Sequence, residues 1–282
     1  MGRADMGWPR GMTAAEEEER LPGSVYIEGA PATADGLVHP ALVGYGAYSS
    51  FRVEDGAVRG LELHLKRLAG AATELFGATP SDARFRESMR RALDGRMEAW
   101  LRVSLFSPDI GHRSPSWIGE PRVMIGVFDP PAPLAGGIRV QPQLHQRFLP
   151  HIKHVATLDL IRARRAARAA GFDDALFVDG QGKVSEGTLW NLGLVTGDTV
   201  VWPQAPMLDG VTRRLIDANL AGQGLRSERA EVRLEDLSQF DAAFLCNSAT
   251  PAASIAAIGD HVFADRPELI ARLNAAWTAA AP

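Results

Sequence analysis

A single cysteine, Cys246, stands in a chain of 282 residues. That scarcity excludes an intramolecular disulfide framework and any zinc or iron–sulfur site built on several thiolates. An excess of either charge is also lacking. The formal net charge of −4 argues against nucleic acid or an anionic membrane as the main partner. Long apolar runs are absent too: MGRADMGWPRGMTAAEEEERL has no signal-peptide core. The longest uncharged stretch, Ala242 to Gly259, contains Asn, Ser, Thr and Pro and so reads as no membrane span. A globular, cytoplasmic protein is the expectation. The patterns GxGxxG, GxxxxGK(S/T), HExxH and GxSxG do not occur, which removes the usual support for dinucleotide, P-loop, zincin and α/β-hydrolase chemistry. His151 and His154 lie three apart with no acidic cluster beside them, so no metal site is expected.

Lysine is scarce as well. Of 30 basic residues only Lys66, Lys153 and Lys183 are lysines. Arginine stays protonated and cannot form an imine, whereas a lysine can be tuned to a free amine. Any Schiff-base chemistry therefore has three candidates.

The chain reads as α+β. Residues 1–22 mix Gly, Pro and a glutamate run with little to bury, as in a flexible tail. Residues 24–53 read as strands broken by Gly and Pro, followed by the turn EDGA. LELHLKRLAGAATELFG places Leu61, Leu65, Leu68, Ala72 and Leu75 at helical spacing. A second helix is predicted over residues 81–97, and AWLRVSLF and GEPRVMIGVF are strands. The Pro/Gly-rich break near residues 130–137 marks a boundary between a smaller domain at 23–130 and a larger one at 138–282. Beyond it come the strand IRVQPQL and a helix closed by Gly171. DALFVDGQGKVSEGTLWNLGLVTGDTVVWP reads as three short strands. VTRRLIDANLAGQG is a helix, and AAFLCNSATPAASIAAIG is strand, loop, strand. The arginines of IRARRAAR form a solvated face, and Cys246 packs as a small hydrophobe.

Three segments combine into chemistry. Lys153, at the end of an irregular Pro-containing stretch and flanked by Ile152 and Val155, would be partly desolvated and its pKa lowered. Glu186, past a strand-turn-strand hairpin and before Asn191, is a carboxylate that could hold a ring nitrogen protonated. The Gly-Val-Thr step that opens the helix at 210–212 offers free backbone N–H groups to a phosphate, and the turn Cys246–Thr250 can add donors.

Their order resembles the class IV aminotransferase family, the fold type IV pyridoxal-phosphate enzymes that include branched-chain and D-amino-acid aminotransferases and aminodeoxychorismate lyase. The pattern Lys…Glu-x-x-x-x-Asn…Leu-x-Gly-x-Thr-Arg carries the resemblance, with His64 and Arg67 in an H-x-x-R-L step; it extends over about residues 25–260. It implies two α/β subdomains with pyridoxal 5'-phosphate in the cleft between them. Position by position, Lys153 matches the lysine that holds the cofactor as a Schiff base, and Glu186 the carboxylate on its pyridine nitrogen. Arg67, Val211, Thr212 and Ser248 match its phosphate clamp. Tyr48, Arg102 and Ala249 match positions bordering the substrate. The implied reaction moves an amino group between an amino acid or amine and a 2-keto acid, with the pyruvate-releasing lyase as the alternative within the family. A non-catalytic protein on the same scaffold is the rival of a different class. The implied assembly is a homodimer.

Departures from the family pattern bear on substrate. Tyr48-Ser49 stands where Phe-Glu is frequent, and Phe106-Ser107-Pro108 where Arg-Gly is. Leu158 occupies a position at which branched-chain enzymes carry tyrosine. Trp202 and Trp190 add bulk, which points to an altered acceptor pocket.

Overall fold

Residues 23–281 are described by the computed structural model. The tail expected over residues 1–22 lies outside the described residues.

Alternating burial along Leu101, Val103 and Leu105 gives one strand an apolar face with period two. It belongs to a five-stranded antiparallel sheet of β1 (Gly23–Ile27), β2 (Ala30–Pro31), β3 (Ala47–Val53), β4 (Ala99–Phe106) and β5 (Arg122–Phe128), in the order β2-β1-β5-β4-β3. Between β3 and β4 run α2 (Leu61–Phe76) and α3 (Asp82–Leu93). Leu65, Leu68, Ala72 and Phe76 of α2 and Phe85 and Met89 of α3 close over the sheet. The helical spacing seen in the sequence is thus the core face of α2.

One expectation fails in this half. The stretch read as strands over residues 24–53 contains α1 (Ala34–Leu42). The Thr33 hydroxyl accepts the Gly36 N–H at 3.2 Å, a helix cap that outweighs the local strand signals, and none of the helix is fully buried. The helix predicted over residues 81–97 ends at Leu93, with Asp94 in the left-handed conformation.

The second sheet holds β6 (Ile138–Leu144), β7 (Asp174–Val178), β8 (Val184–Gly187), β9 (Asn191–Thr196), β10 (Thr199–Pro203), β11 (Arg226–Ala230), β12 (Ala242–Cys246), β13 (Ala253–Ile258) and β14 (His261–Val262). Its order is β11-β10-β9-β12-β13-β6-β7-β8, with β14 on β13. An added β8–β9 pairing closes six of these strands on themselves, and its single register pair is Glu186 with Asn191. The segment read as three strands is four, because the tight turn 187–190 separates β8 from β9; the Gly187 N–H donates to the Trp190 carbonyl at 2.9 Å. Val140, Leu176, Leu192, Leu245 and Ile255 fill one face of the sheet. Against the other face pack α5 (Val211–Asn219) and α6 (Pro267–Thr278), burying Trp202, Ile216, Phe244 and Leu273. Helix α4 (Leu158–Ala169) covers Ala175 and Phe177 and gives way to Gly171 at φ +83°. Strand β11 and helix α6 were not among the elements expected from the sequence.

The two sheets meet at the loop before α4. The Tyr48 N–H donates to the Lys153 carbonyl at 2.8 Å, and the Val155 N–H to that of Gly46 at 3.0 Å. A Cβ at Gly46 would lie 2.2 Å from the Leu105 carbonyl oxygen, so only glycine lets the chain pass there. Among the described residues no helix is long and apolar enough to cross a membrane.

Candidate functional site

Between the two sheets lies a cleft open to solvent. Tyr48, Arg67, Lys153, Glu186, Val211, Thr212 and Ser248 all line it. Residues far apart in sequence reach it from β3, α2, the loop before α4, β8, the start of α5 and the turn after β12.

Lys153 is held by its own backbone, whose carbonyl is tied to the edge strand β3. Its Nζ stands 4.8 Å from the centroid of the Tyr48 ring. Burial lowers the amine's pKa, and the charges of Arg67 and Arg147 push the same way, against Tyr48 and Glu186. The side chain is therefore tuned toward the neutral, nucleophilic form.

Glu186 is buried at the point where the β8–β9 pairing closes the sheet. Its Oε1 accepts the Arg147 Nη1 hydrogen and the Leu208 N–H, both at 3.1 Å. Burial pushes the carboxyl up from its ordinary value, opposed by Arg147 and the Leu208 N–H. Arg147 is the functional residue that sequence reasoning missed. It is 6% exposed and also donates from Nη2 to the Ile152 carbonyl at 3.1 Å, joining the glutamate to the lysine loop. Its position in the irregular QRFLPHIK stretch was the available signal, but arginine is too common in this chain for that to single it out.

At the other end of the cleft, α5 begins at Gly210 without a side-chain cap. The first backbone hydrogen bond of this helix runs from the Arg214 N–H to the Gly210 carbonyl, so the N–H groups of Val211 and Thr212 have no intrahelical partner. Both residues line the cleft wall. The turn after β12 is built by Asn247, whose Oδ1 accepts the N–H groups of Ala249 at 2.9 Å and Thr250 at 2.8 Å. It presents Ser248 to the cleft. Arg67 arrives from α2 and donates from Nη2 to Ser49 Oγ at 2.6 Å. Burial pushes its pKa down to about 10, though it stays charged at neutral pH. Uncapped N–H groups, a hydroxyl and an arginine at one end make an anion site.

Tyr48 lines the cleft with the Arg102 guanidinium stacked 3.7 Å from its ring centroid. Arg102 itself is not among the residues of the wall. Nor is Ala249, whose N–H donates to Asn247 Oδ1. Trp190 does line the cleft, and its indole N–H is fixed by Asp174 Oδ2 at 3.0 Å. Trp202 does not. It is fully buried beneath α5, donating to Asp217 Oδ1 at 2.9 Å, so its bulk belongs to the core and not to an acceptor pocket. Leu158 opens α4 at 80% exposed and is also absent from the wall. Cys246 packs as expected, with burial pushing its thiol up to about 12.

Comparison with known proteins agrees with this geometry. Residues 46–258 match the family model described as Amino-transferase class IV. A putative branched-chain-amino-acid aminotransferase of Methanocaldococcus jannaschii is 27% identical over 75% of this chain and 77% of its own. An aminodeoxychorismate lyase of Vibrio harveyi is 27% identical over 76% of this chain and 83% of its own. A probable branched-chain-amino-acid aminotransferase of Rickettsia felis is 31% identical, but the match spans 40% of that protein and 38% of this chain. Among solved structures, a hypothetical aminotransferase from Mycobacterium tuberculosis in its PLP-bound form superposes with a TM-score of 0.73 at 21% identity, over 90% of this chain and 98% of that one.

Proposed function

Because this chain belongs to the class IV aminotransferase family, we propose that its cleft holds pyridoxal 5'-phosphate and moves an amino group between an amino acid or amine and a 2-keto acid. The observation that carries the proposal is the layout of the cleft: an amine of lowered pKa, a buried carboxylate and an anion site share its wall.

The residues fit the cofactor's chemistry at each end. Val211 and Thr212 N–H groups, Ser248 and Arg67 would hold the phosphate. Glu186 would face the pyridine nitrogen, with Arg147 and the Leu208 N–H keeping its Oε1 fixed. Lys153 would carry the aldehyde carbon and later act as the proton carrier. Pyridoxal phosphate, when bound, supplies the electron sink that stabilises a carbanion at the substrate's α-carbon. Lys153 Nζ would take the α-proton and deliver it to the cofactor's C4′ carbon, and in the second half-reaction carry a proton the opposite way, a role that needs an amine with a pKa close to the working pH. Tyr48, backed by Arg102, would border the substrate, and the positive charge of Arg102 favours a carboxylate there. A homodimer in which a second copy closes the mouth of the cleft completes the proposal.

Lys153→Ala should bind no cofactor covalently. Borohydride treatment of the wild type should leave the label on the peptide that contains Lys153, and on none in the variant. Turnover of the variant should fall by at least about a hundredfold. A label on Lys66 or Lys183, or turnover that survives the substitution, refutes the assignment. The lyase reading is favoured by the Cys246-Asn247-Ser248 step and by the Vibrio harveyi relative. Incubation with aminodeoxychorismate and no keto acid separates the two: pyruvate release supports the lyase, and amino exchange that requires a keto acid supports the aminotransferase.

A further inference from the structure

Strand β3 alternates its side chains, so Tyr48 and its neighbour Ser49 point to opposite faces. Tyr48 meets the cleft. Ser49 turns toward α2, where it is 0% exposed and His64 is 2% exposed. Ser49 Oγ lies 2.7 Å from His64 Nδ1 and 2.6 Å from Arg67 Nη2, and Nη2 is 3.4 Å from the same Nδ1.

Arg67 can only donate, so Ser49 Oγ accepts from it. Arg67 Nη2 also lies 3.4 Å from His64 Nδ1, and a donor on that side favours a lone pair on Nδ1, which the Ser49 hydroxyl proton then meets. We assign the His64 proton to Nε2, which leaves the ring neutral. Burial, Arg67 and Lys153 all hold its pKa well below the ordinary value, consistent with a neutral ring. The imidazole is set in place by Phe51, at 4.6 Å between ring centroids. A chain Arg67→Ser49→His64 thus ends on a ring that cannot rotate without losing its packing.

We propose that Ser49 and His64 are positioning residues for Arg67: a buried, neutral hydroxyl–imidazole pair that aims the guanidinium at a phosphate monoester without cancelling its charge. A carboxylate in place of Ser49 would form an ion pair with Arg67 and reduce the charge available to a ligand. Here the guanidinium keeps its full charge and one fixed N–H, while its remaining donors are left for the dianion. This rests on the reading of Arg67 as part of the phosphate end of the cleft.

Titration of apoprotein with pyridoxal 5'-phosphate and with pyridoxal tests it, because only the first carries the group that Arg67 would meet. Ser49→Ala should weaken pyridoxal phosphate about tenfold or more, the loss expected for one hydrogen bond to a charged group, and leave pyridoxal unchanged. His64→Leu, which fills similar space without an acceptor, should do the same. His64→Asn, whose Oδ1 can accept the Ser49 proton, should lose less. Unchanged affinity for pyridoxal phosphate in Ser49→Ala, or an equal loss for both ligands, overturns the proposal. Arg67→Gln is the separate control: if it abolishes the preference for the phosphorylated ligand while Ser49→Ala does not, the positioning role fails and the reading of Arg67 stands. If Arg67→Gln leaves that preference intact, the reading of Arg67 fails and the inference falls with it.

Discussion

Lys153 shows at the scale of one residue how function and stability pull apart. Its pKa is lowered in the folded protein chiefly by burial, so between the folded and unfolded values the unfolded chain binds more protons. Stability must then rise with pH through that window. The penalty is full below the folded pKa and is gone above the ordinary lysine value of about 10.4. For apoprotein, Lys153→Met should raise the melting temperature at pH 7, and the gain should shrink as pH approaches about 10. Melting curves of both proteins across that range check this; a gain independent of pH would mean the amine is not depressed. Lysine scarcity narrowed any imine-forming residue to three candidates, and the order of Lys153, Glu186 and the Gly-Val-Thr step, through its resemblance to a family, singled out this one and the carboxylate. Arg147 was illegible for the opposite reason, since it is one arginine among many. The Asx-type turn at Asn247, whose Oδ1 accepts the N–H groups of Ala249 and Thr250, was not legible either, because it has no signature that separates it from an open loop.

Among elements, the start of α5 depends on a contact between chain segments remote in sequence. A Cβ on Gly210 would sit 1.9 Å from Asn191 Oδ1, while Asn191 Nδ2 donates to the Leu208 carbonyl at 2.9 Å. Asn191 is also the register partner of Glu186. One glycine thus couples the anion end of the cleft to the carboxylate end. Gly210→Ala should cost about 1–3 kcal/mol of stability and weaken cofactor binding together, because α5 and Asn191 cannot both keep their places. Denaturant unfolding and cofactor titration measure the two; a variant that loses neither would show that the contact relaxes freely. The glycine step was visible in the sequence as a helix opening. Its closeness to Asn191 was not, since that follows from the closure of six strands, a non-local pairing that no window of residues encodes. Local signals also competed: a Thr33 cap produced α1 inside a stretch rich in strand cues.

For the whole molecule, exposed apolar side chains lie on the segments that flank Lys153 and on the turn at Leu189, which lines the cleft. Leu144 is 75% exposed, Phe148 77%, Leu158 80% and Leu189 41%. They lie on connected ground: His145 Nε2 meets Asp159 Oδ2 at 2.9 Å, and His154 Nε2 meets the Phe148 carbonyl at 3.0 Å. Leu189 and His154 also line the cleft. Scattered exposed leucines need no explanation, but a group of them on linked segments beside a site is a surface that favours a partner. A second copy of the chain is the partner consistent with a cleft otherwise open to water. Burying one such side chain contributes about 1.5–3 kcal/mol, and a double variant loses two from each copy, four per dimer, so its dissociation constant should rise by at least about 10⁴-fold. Wild-type protein should run at twice the chain mass in light scattering, and the double variant Phe148→Glu, Leu158→Glu should run at one, with unchanged far-ultraviolet circular dichroism. Neither residue lines the cleft alongside Lys153, Glu186 or the anion end, so weaker cofactor retention in the monomer would trace to the opened mouth. A wild type that stays monomeric at micromolar concentration would remove the second copy and leave this surface to a different partner.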